Sequence, residues 1–244
     1  MRLVGPERTL TVLAWIIQLK CNPSWGAMRK GSEVLLAYAR SGSIPLEVPW
    51  SELRRTEKLN SRDRQMSLTG YVLARQLLLD AGLGVHELRR RCSNCGSGAH
   101  GALVSPHSTI SVSHASDHVV VAVDPLSRPL GVDIETVERA HEIRAVWSQV
   151  SLSEAPADPL SVVAHWTRLE ATSKALSRGL AMDFRSIRMP AVGQIRAEGQ
   201  VFRDTALMGL PSGIVGSAVL GMTGRCEDDA AVPSWGQVRQ IVLR

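Results

Sequence analysis

The chain has 244 residues, 44% of them hydrophobic, enough for one large or two small packed domains. Mean hydropathy is +0.01, and the longest apolar run near the start, Val12 to Ile17, is far too short to span a membrane. A net charge of +5 with only 4% aromatic residues suits an anionic partner and argues against base-stacking platforms or a recognisable nucleic-acid module.

Cys21, Cys92, Cys95 and Cys226 make no disulfide framework in a chain of this size, and no small-residue cleavage site follows Arg8, so a cytoplasmic setting is expected. Residues 10–19 read as a first core strand. Gly and Pro interrupt residues 22–50, where Gly31 to Tyr38 reads as a short helix. Ser51 to Lys58 reads as a helix with Ser51 as its N-cap and a basic end that suits the dipole. Residues 62–80 give the clearest helix of the first half, with Leu68, Tyr71, Val72 and Leu79 as its stripe and Gly82 or Gly84 beyond its end. Arg64 and Arg75 project near that stripe, where each can hold a phosphate or lie along apolar surface with a local partner.

Residues 89–107 read as a loop. Within it Cys92 and Cys95, with His100 and His107, offer ligands to zinc, but one CxxC without a second is half of the usual set. Residues 109–123 give two strands joined by a turn at 115–117. The polar tip Ser113-His114 either donates hydrogen bonds to a phosphate or simply caps the hairpin. A Pro-containing turn then leads into Gly131-Val132-Asp133-Ile134-Glu135, a strand with Leu130, Val132 and Ile134 on one face and Asp133 and Glu135 on the other. Two close carboxylates raise each other's pKa, and a divalent cation relieves the repulsion. Oxygen-only ligands suit Mg²⁺ or Mn²⁺ better than zinc. The same pattern also fits a solvated strand end with two surface acids.

Residues 136–160 read as weak helix followed by a loop, and 160–178 as a second long helix. Val162, Val163, Trp166, Leu169, Ser173 and Ser177 share one side of it, and Glu170 falls on that side. A carboxylate on a core-facing stripe needs a partner. Lys174, one turn on, reaches Glu170 or a shared anion. Residues 184–192, 195–203, 214–220 and 238–243 read as strands.

Taken together, GVDIE at 131–135, WTRLEATSK at 166–174 followed by Arg178-Gly179-Leu180, and Ser113-His114 at a strand end resemble the 4′-phosphopantetheinyl transferase family. That family carries G-[VI]-D-[IV]-E, then W-[ST]-x-K-E-x-x-x-K, with a Ser-His pair shortly before the first block. The matching blocks cover residues 92–180, and the chain length resembles the longer, monomeric, surfactin-type subgroup.

The resemblance implies an α+β fold, a pseudo-dimer of two similar halves (1–117 and 118–244), each a small antiparallel sheet packed with a long helix. It implies Mg²⁺-dependent transfer of phosphopantetheine from coenzyme A to a serine of an acyl or peptidyl carrier protein. Asp133, Glu135 and Glu170 would hold the metal, and Ser113, His114, Lys174, Arg64 and Arg75 would bind coenzyme A. Asp133, Glu170 and Lys174 would carry the chemistry, with Glu170 as base, metal ligand or both. Three positions often cationic in the family are neutral here: Met66, Ala102 and Leu169. A non-catalytic module of the same fold that binds coenzyme A or a carrier is therefore the competing expectation.

Overall fold

The GVDIE segment is an edge strand where two antiparallel sheets meet. The computed structural model describes residues 12–17, 33–41, 48–85, 88–92, 95–99, 101–222 and 235–241. The first sheet is five-stranded, in the order β12-β1-β2-β6-β5. Its strands are β1 (Val12–Ile17), β2 (Val34–Arg40), β5 (Thr109–Ala115), β6 (His118–Asp124) and β12 (Trp235–Ile241). The second runs β7-β11-β10-β9-β8, built from β7 (Leu130–Thr136), β8 (Arg188–Ala191), β9 (Gln194–Ala197), β10 (Gln200–Ala206) and β11 (Ile214–Gly221). A two-stranded ribbon pairs β3 (Arg89–Arg91) with β4 (Ala102–Val104). The helices are α1 (Trp50–Thr56), α2 (Ser61–Asp80), α3 (Ala140–Ala145), α4 (Trp147–Val150) and α5 (Pro159–Ala175). The fold is mixed α+β, as the sequence indicated, and no helix among the described residues is long and apolar enough to cross a membrane.

Three apolar layers follow from strand alternation. Val119, Val121 and Val123 of β6 face α2 and pack on Leu73, Leu77 and Leu78. Val120 and Ala122, on the opposite face, pack with Leu36 of β2 against Leu130, Val132 and Ile134 of β7. On the far side of the second sheet, Leu169, Ala171 and Ala175 of α5 meet Ile195, Phe202 and Val219. The order is therefore helix, sheet, sheet, helix, and β7 is covered on both faces.

The long helices are delimited locally. Asn60 caps α2 by accepting from the Asp63 N–H at 2.9 Å, and Asp158 caps α5 by accepting from the Leu160 and Ser161 N–H groups. Pro159 occupies the first turn of α5, where its missing N–H costs nothing. The packing row of α2 is Met66, Gly70, Leu73 and Leu77, at helical spacing, so Leu68 and Tyr71 are buried beside it while Leu79 has rotated out to 44% exposure.

Several sequence expectations are corrected. Residues 34–40 form a strand, not a helix, because β2 is hydrogen-bonded between β1 and β6 and buried on both faces. Residues 89–107 contain a short ribbon in place of a continuous loop. Pro49, with no side-chain bond, stands at the start of α1 where Ser51 was expected. Ser177 lies beyond the end of α5, exposed and with φ of 55°. Residues 22–32 and 42–47 of the Gly- and Pro-interrupted segment 22–50, which include Gly31 and Ser32 of the expected helix, lie outside the described residues, as do Cys21, His100 and Cys226. The chain changes sheet across residues 125–129, where Arg128 donates its backbone N–H and guanidinium to the fully buried Asp124. β12 then returns to the first sheet.

Candidate active site

As the outer strand of its sheet, β7 pairs with β11 on one side and turns its other edge toward β5. Unpaired buried N–H groups are costly. Two serines of β5 satisfy them. Ser111 Oγ accepts from the Val132 N–H at 2.9 Å, and Ser113 Oγ accepts from the Ile134 N–H at 3.3 Å. The two-residue spacing of the serines matches the two-residue spacing of the donors, so the Ser-x-Ser segment stitches one sheet to the other.

Ser113 does more than stitch. Its hydroxyl donates to Asp133 Oδ1 at 2.7 Å. Lys174 Nζ donates to the same carboxylate oxygen at 2.7 Å, to Ser113 Oγ at 3.0 Å and to the Val132 carbonyl at 3.1 Å. Lys174 reaches β7 because α5 lies almost on the strand backbone at Gly131. A Cβ built there would stand 1.7 Å from the Ala171 carbonyl oxygen. The Lys174 side chain is 28% exposed and that of Asp133 only 5%. Asp133 Oδ2 is buried without any partner.

Glu135 and Glu170 share this end of the sheet. Burial pushes the Glu135 carboxyl up to about 7, with Asp133 and Glu170 adding to the rise and Arg139, its ion-pair partner, opposing it. Burial, then Asp133, also raises Glu170, against Lys174 and Arg139. Lys174, for which the sequence left Glu170 or a shared anion as partner, pairs with Asp133 and acts on Glu170 through its charge. The carboxylate face of β7 is thus closed under α5 instead of solvated.

A carboxyl whose folded pKa exceeds its unfolded value keeps its proton longer in the folded state. Stability from that proton is complete below the ordinary glutamate value of 4.5 and is lost as pH rises through about 7. Glu135→Gln is therefore expected to raise Tm relative to the parent at pH 8 and to change it much less at pH 5. Thermal melts at the two pH values check this; an equal shift at both would contradict it.

His114 points to the other face of β5 and is exposed, so alternation splits the Ser113-His114 pair. Partial burial of the ring, then the Lys174 ammonium, lower the His114 imidazole below its ordinary value, and Asp63 pulls the other way. Arg64 and Arg75 are half-buried on α2 and make no hydrogen bond or ion pair to the carboxylates. Arg75 acts on the Tyr71 hydroxyl through its charge.

Tyr71 belongs to a second feature, which sequence reasoning did not assemble. Between α1, α2 and β3 lies a cleft of about 530 Å³ lined by Arg54, Arg55, Lys58, Arg89 and Arg90, with Glu52 as its one carboxylate. Glu52 is buried and pairs with Arg55 at 2.8 Å and Arg90 at 3.4 Å. Arg90 also donates to the Gly101 carbonyl at 3.1 Å. Its guanidinium is pushed down by burial and by Arg55. The Arg89-Arg90-Arg91 run was the available signal; strand alternation decides that the middle arginine turns inward.

For a divalent cation, the donor set fits in kind: hard carboxylate oxygens, one of them an orphaned buried atom at Asp133. The set is not gathered, however. Among the described residues no three His, Cys, Asp or Glu side chains form a group that would hold a metal. Lys174 sits on Asp133 and Arg139 on Glu135. Cys92 is half-buried and Cys95 exposed. No protein-family model matches the chain, and no curated protein matches it.

Proposed function

We propose that the protein transfers 4′-phosphopantetheine from coenzyme A to a serine hydroxyl of an acyl or peptidyl carrier protein, with Mg²⁺, as the resemblance of its motifs implies. One observation carries the reading: a buried aspartate with an orphan oxygen, held by Ser113 and Lys174, beside two glutamates whose carboxyls are raised by burial and, to a lesser degree, by that aspartate. A core that needed only stability has no use for three carboxylates on facing elements at the cost of burying them, even with Lys174 and Arg139 paired to two of them. In the same reading, the two sheet-and-helix units are related halves of a pseudo-dimer, and the protein acts as a monomer.

Asp133, Glu135 and Glu170 would hold the metal, which when bound supplies a Lewis acid and a template on the pyrophosphate. The chain's own groups do the rest. Glu170, whose carboxyl is pushed up by burial and by Asp133, accepts the proton of the carrier serine. That serine's oxygen bonds to the phosphorus bearing pantetheine, and the bond from that phosphorus to the oxygen of the leaving 3′,5′-ADP breaks. Lys174 neutralises phosphate charge as it moves between oxygens. The cleft at α1, α2 and β3, with five cations to one acid, suits the nucleotide's remaining phosphate.

The neutral residues that depart from the family pattern have separate explanations. Met66 and Leu169 are core residues, 5% and 1% exposed, where a cation would be costly. Ala102 is exposed and pairs across the ribbon with Arg91, next to the inward-turned Arg90. A cation therefore stands beside that position without being at it.

Release of 3′,5′-ADP tests the reading. With coenzyme A, Mg²⁺ and a panel of apo carriers, chromatography is expected to show release that requires both a carrier and the metal. A thermal shift by coenzyme A with no release on any carrier would instead favour the binding module.

A further inference from the structure

We propose that Lys174 is a resident counter-ion of the carboxylate site, displaced jointly by a divalent cation and an anionic ligand, so that each of the two raises the affinity for the other. The proposal rests on the metal reading given above. An ammonium has three protons, and Lys174 has three acceptors: Asp133 Oδ1, Ser113 Oγ and the Val132 carbonyl. Its donors are spent inside the protein. A phosphate can engage it only by taking it from one of those oxygens.

The metal faces the complementary obstacle. Asp133 Oδ1 already accepts from Ser113 and Lys174, and a divalent ion on that carboxylate would stand against the Lys174 charge. Arg139 holds Glu135 in the same manner while also bonding Glu142 at 3.1 Å. Two internal cations thus neutralise two of the three carboxylates, and among the described residues no three such side chains form a group that would hold a metal. Both have a way out. Side-chain exposure is 28% for Lys174 and 42% for Arg139, and the four-carbon stem of lysine is flexible. An anion that draws Lys174 toward solvent frees Asp133 for the metal, and a metal on Asp133 frees Lys174 for the anion. Reciprocity of the two effects is a thermodynamic necessity.

The test reads binding, not turnover. Mn²⁺ is titrated into the full chain and free Mn²⁺ is followed by electron paramagnetic resonance, with and without coenzyme A. The Mn²⁺–coenzyme A complex in buffer is measured separately. Without coenzyme A, Lys174→Met and Lys174→Gln are expected to bind Mn²⁺ about tenfold more tightly than the parent, within the range of ordinary couplings, and Lys174→Arg is expected to stay close to the parent. In the parent, coenzyme A should tighten Mn²⁺ by a larger factor than in Lys174→Gln. Melting curves identify any variant that fails to fold, and Lys174→Gln retains hydrogen-bonding capacity where Lys174→Met does not. Mn²⁺ binding that is measurable but no tighter in either variant would overturn the proposal and leave the metal site standing. Absence of Mn²⁺ binding in parent and Asp133→Asn alike, with coenzyme A present, would overturn both.

Discussion

Gly131→Ala is expected to cost about 3 kcal/mol or more of stability, the upper part of the overpacking range. The added Cβ would meet backbone: the Ala171 oxygen at 1.7 Å, its carbonyl carbon at 2.7 Å and the Ala175 nitrogen at 2.8 Å. No side-chain rotamer relieves that. Helix α5 would have to rise off β7, opening the layer of Leu169, Phe202 and Val219 and withdrawing Lys174 from Asp133. Denaturant unfolding measures the cost. Gly84→Ala is the control, since nothing lies within 4 Å of a Cβ there. A loss under about 1 kcal/mol at Gly131 would mean that α5 is not seated on the strand as described.

Asp133→Asn is expected to lower transfer by about 10³-fold or more while leaving the fold in place. The amide keeps the size of the carboxylate, and its oxygen can still accept from Ser113 and Lys174. What disappears is the charge that would hold the metal, and loss of Lewis-acid stabilisation worth several kcal/mol corresponds to several decades of rate. Coenzyme A binding should fall much less, because the cleft cations lie on α1 and β3. Comparing kcat/KM with the binding constant separates the two effects. A variant within tenfold of the parent would remove Asp133 from the chemistry.

The strands and helices with strong periodicity were legible in the sequence. β7 and α5 stand close to where alternation and the 3.6-residue period put them, and both helices of the two sheet-and-helix layers were read within a few residues. What the period could not give was the second neighbour. Gly31 to Tyr38 looked helical because nothing local reveals that β1 and β6 would sandwich Val34 to Arg40. The Asp133 face was left open between a solvated strand end and a site shared with Glu170, because the seating of α5 depends on the absent side chain at Gly131, 40 residues from Ala171 in sequence. Ser113 and His114 were read as one polar tip, although strand alternation sends only Ser113 to the carboxylates. The cleft was hidden for the same reason: Glu52 and Arg55 of α1, Ser67 of α2 and Arg90 of β3 come from three separate stretches and share hydrogen bonds across them only after folding.

The most direct test of the account weighs the acceptor. The protein is incubated with Mg²⁺, coenzyme A and each of a set of apo acyl and peptidyl carriers, and the carriers are measured by intact mass spectrometry. A gain of one phosphopantetheine on at least one carrier, lost with Asp133→Asn and without Mg²⁺, is the predicted result. Unchanged carrier masses across the set, with coenzyme A binding intact, would contradict the transferase and leave a protein that only binds.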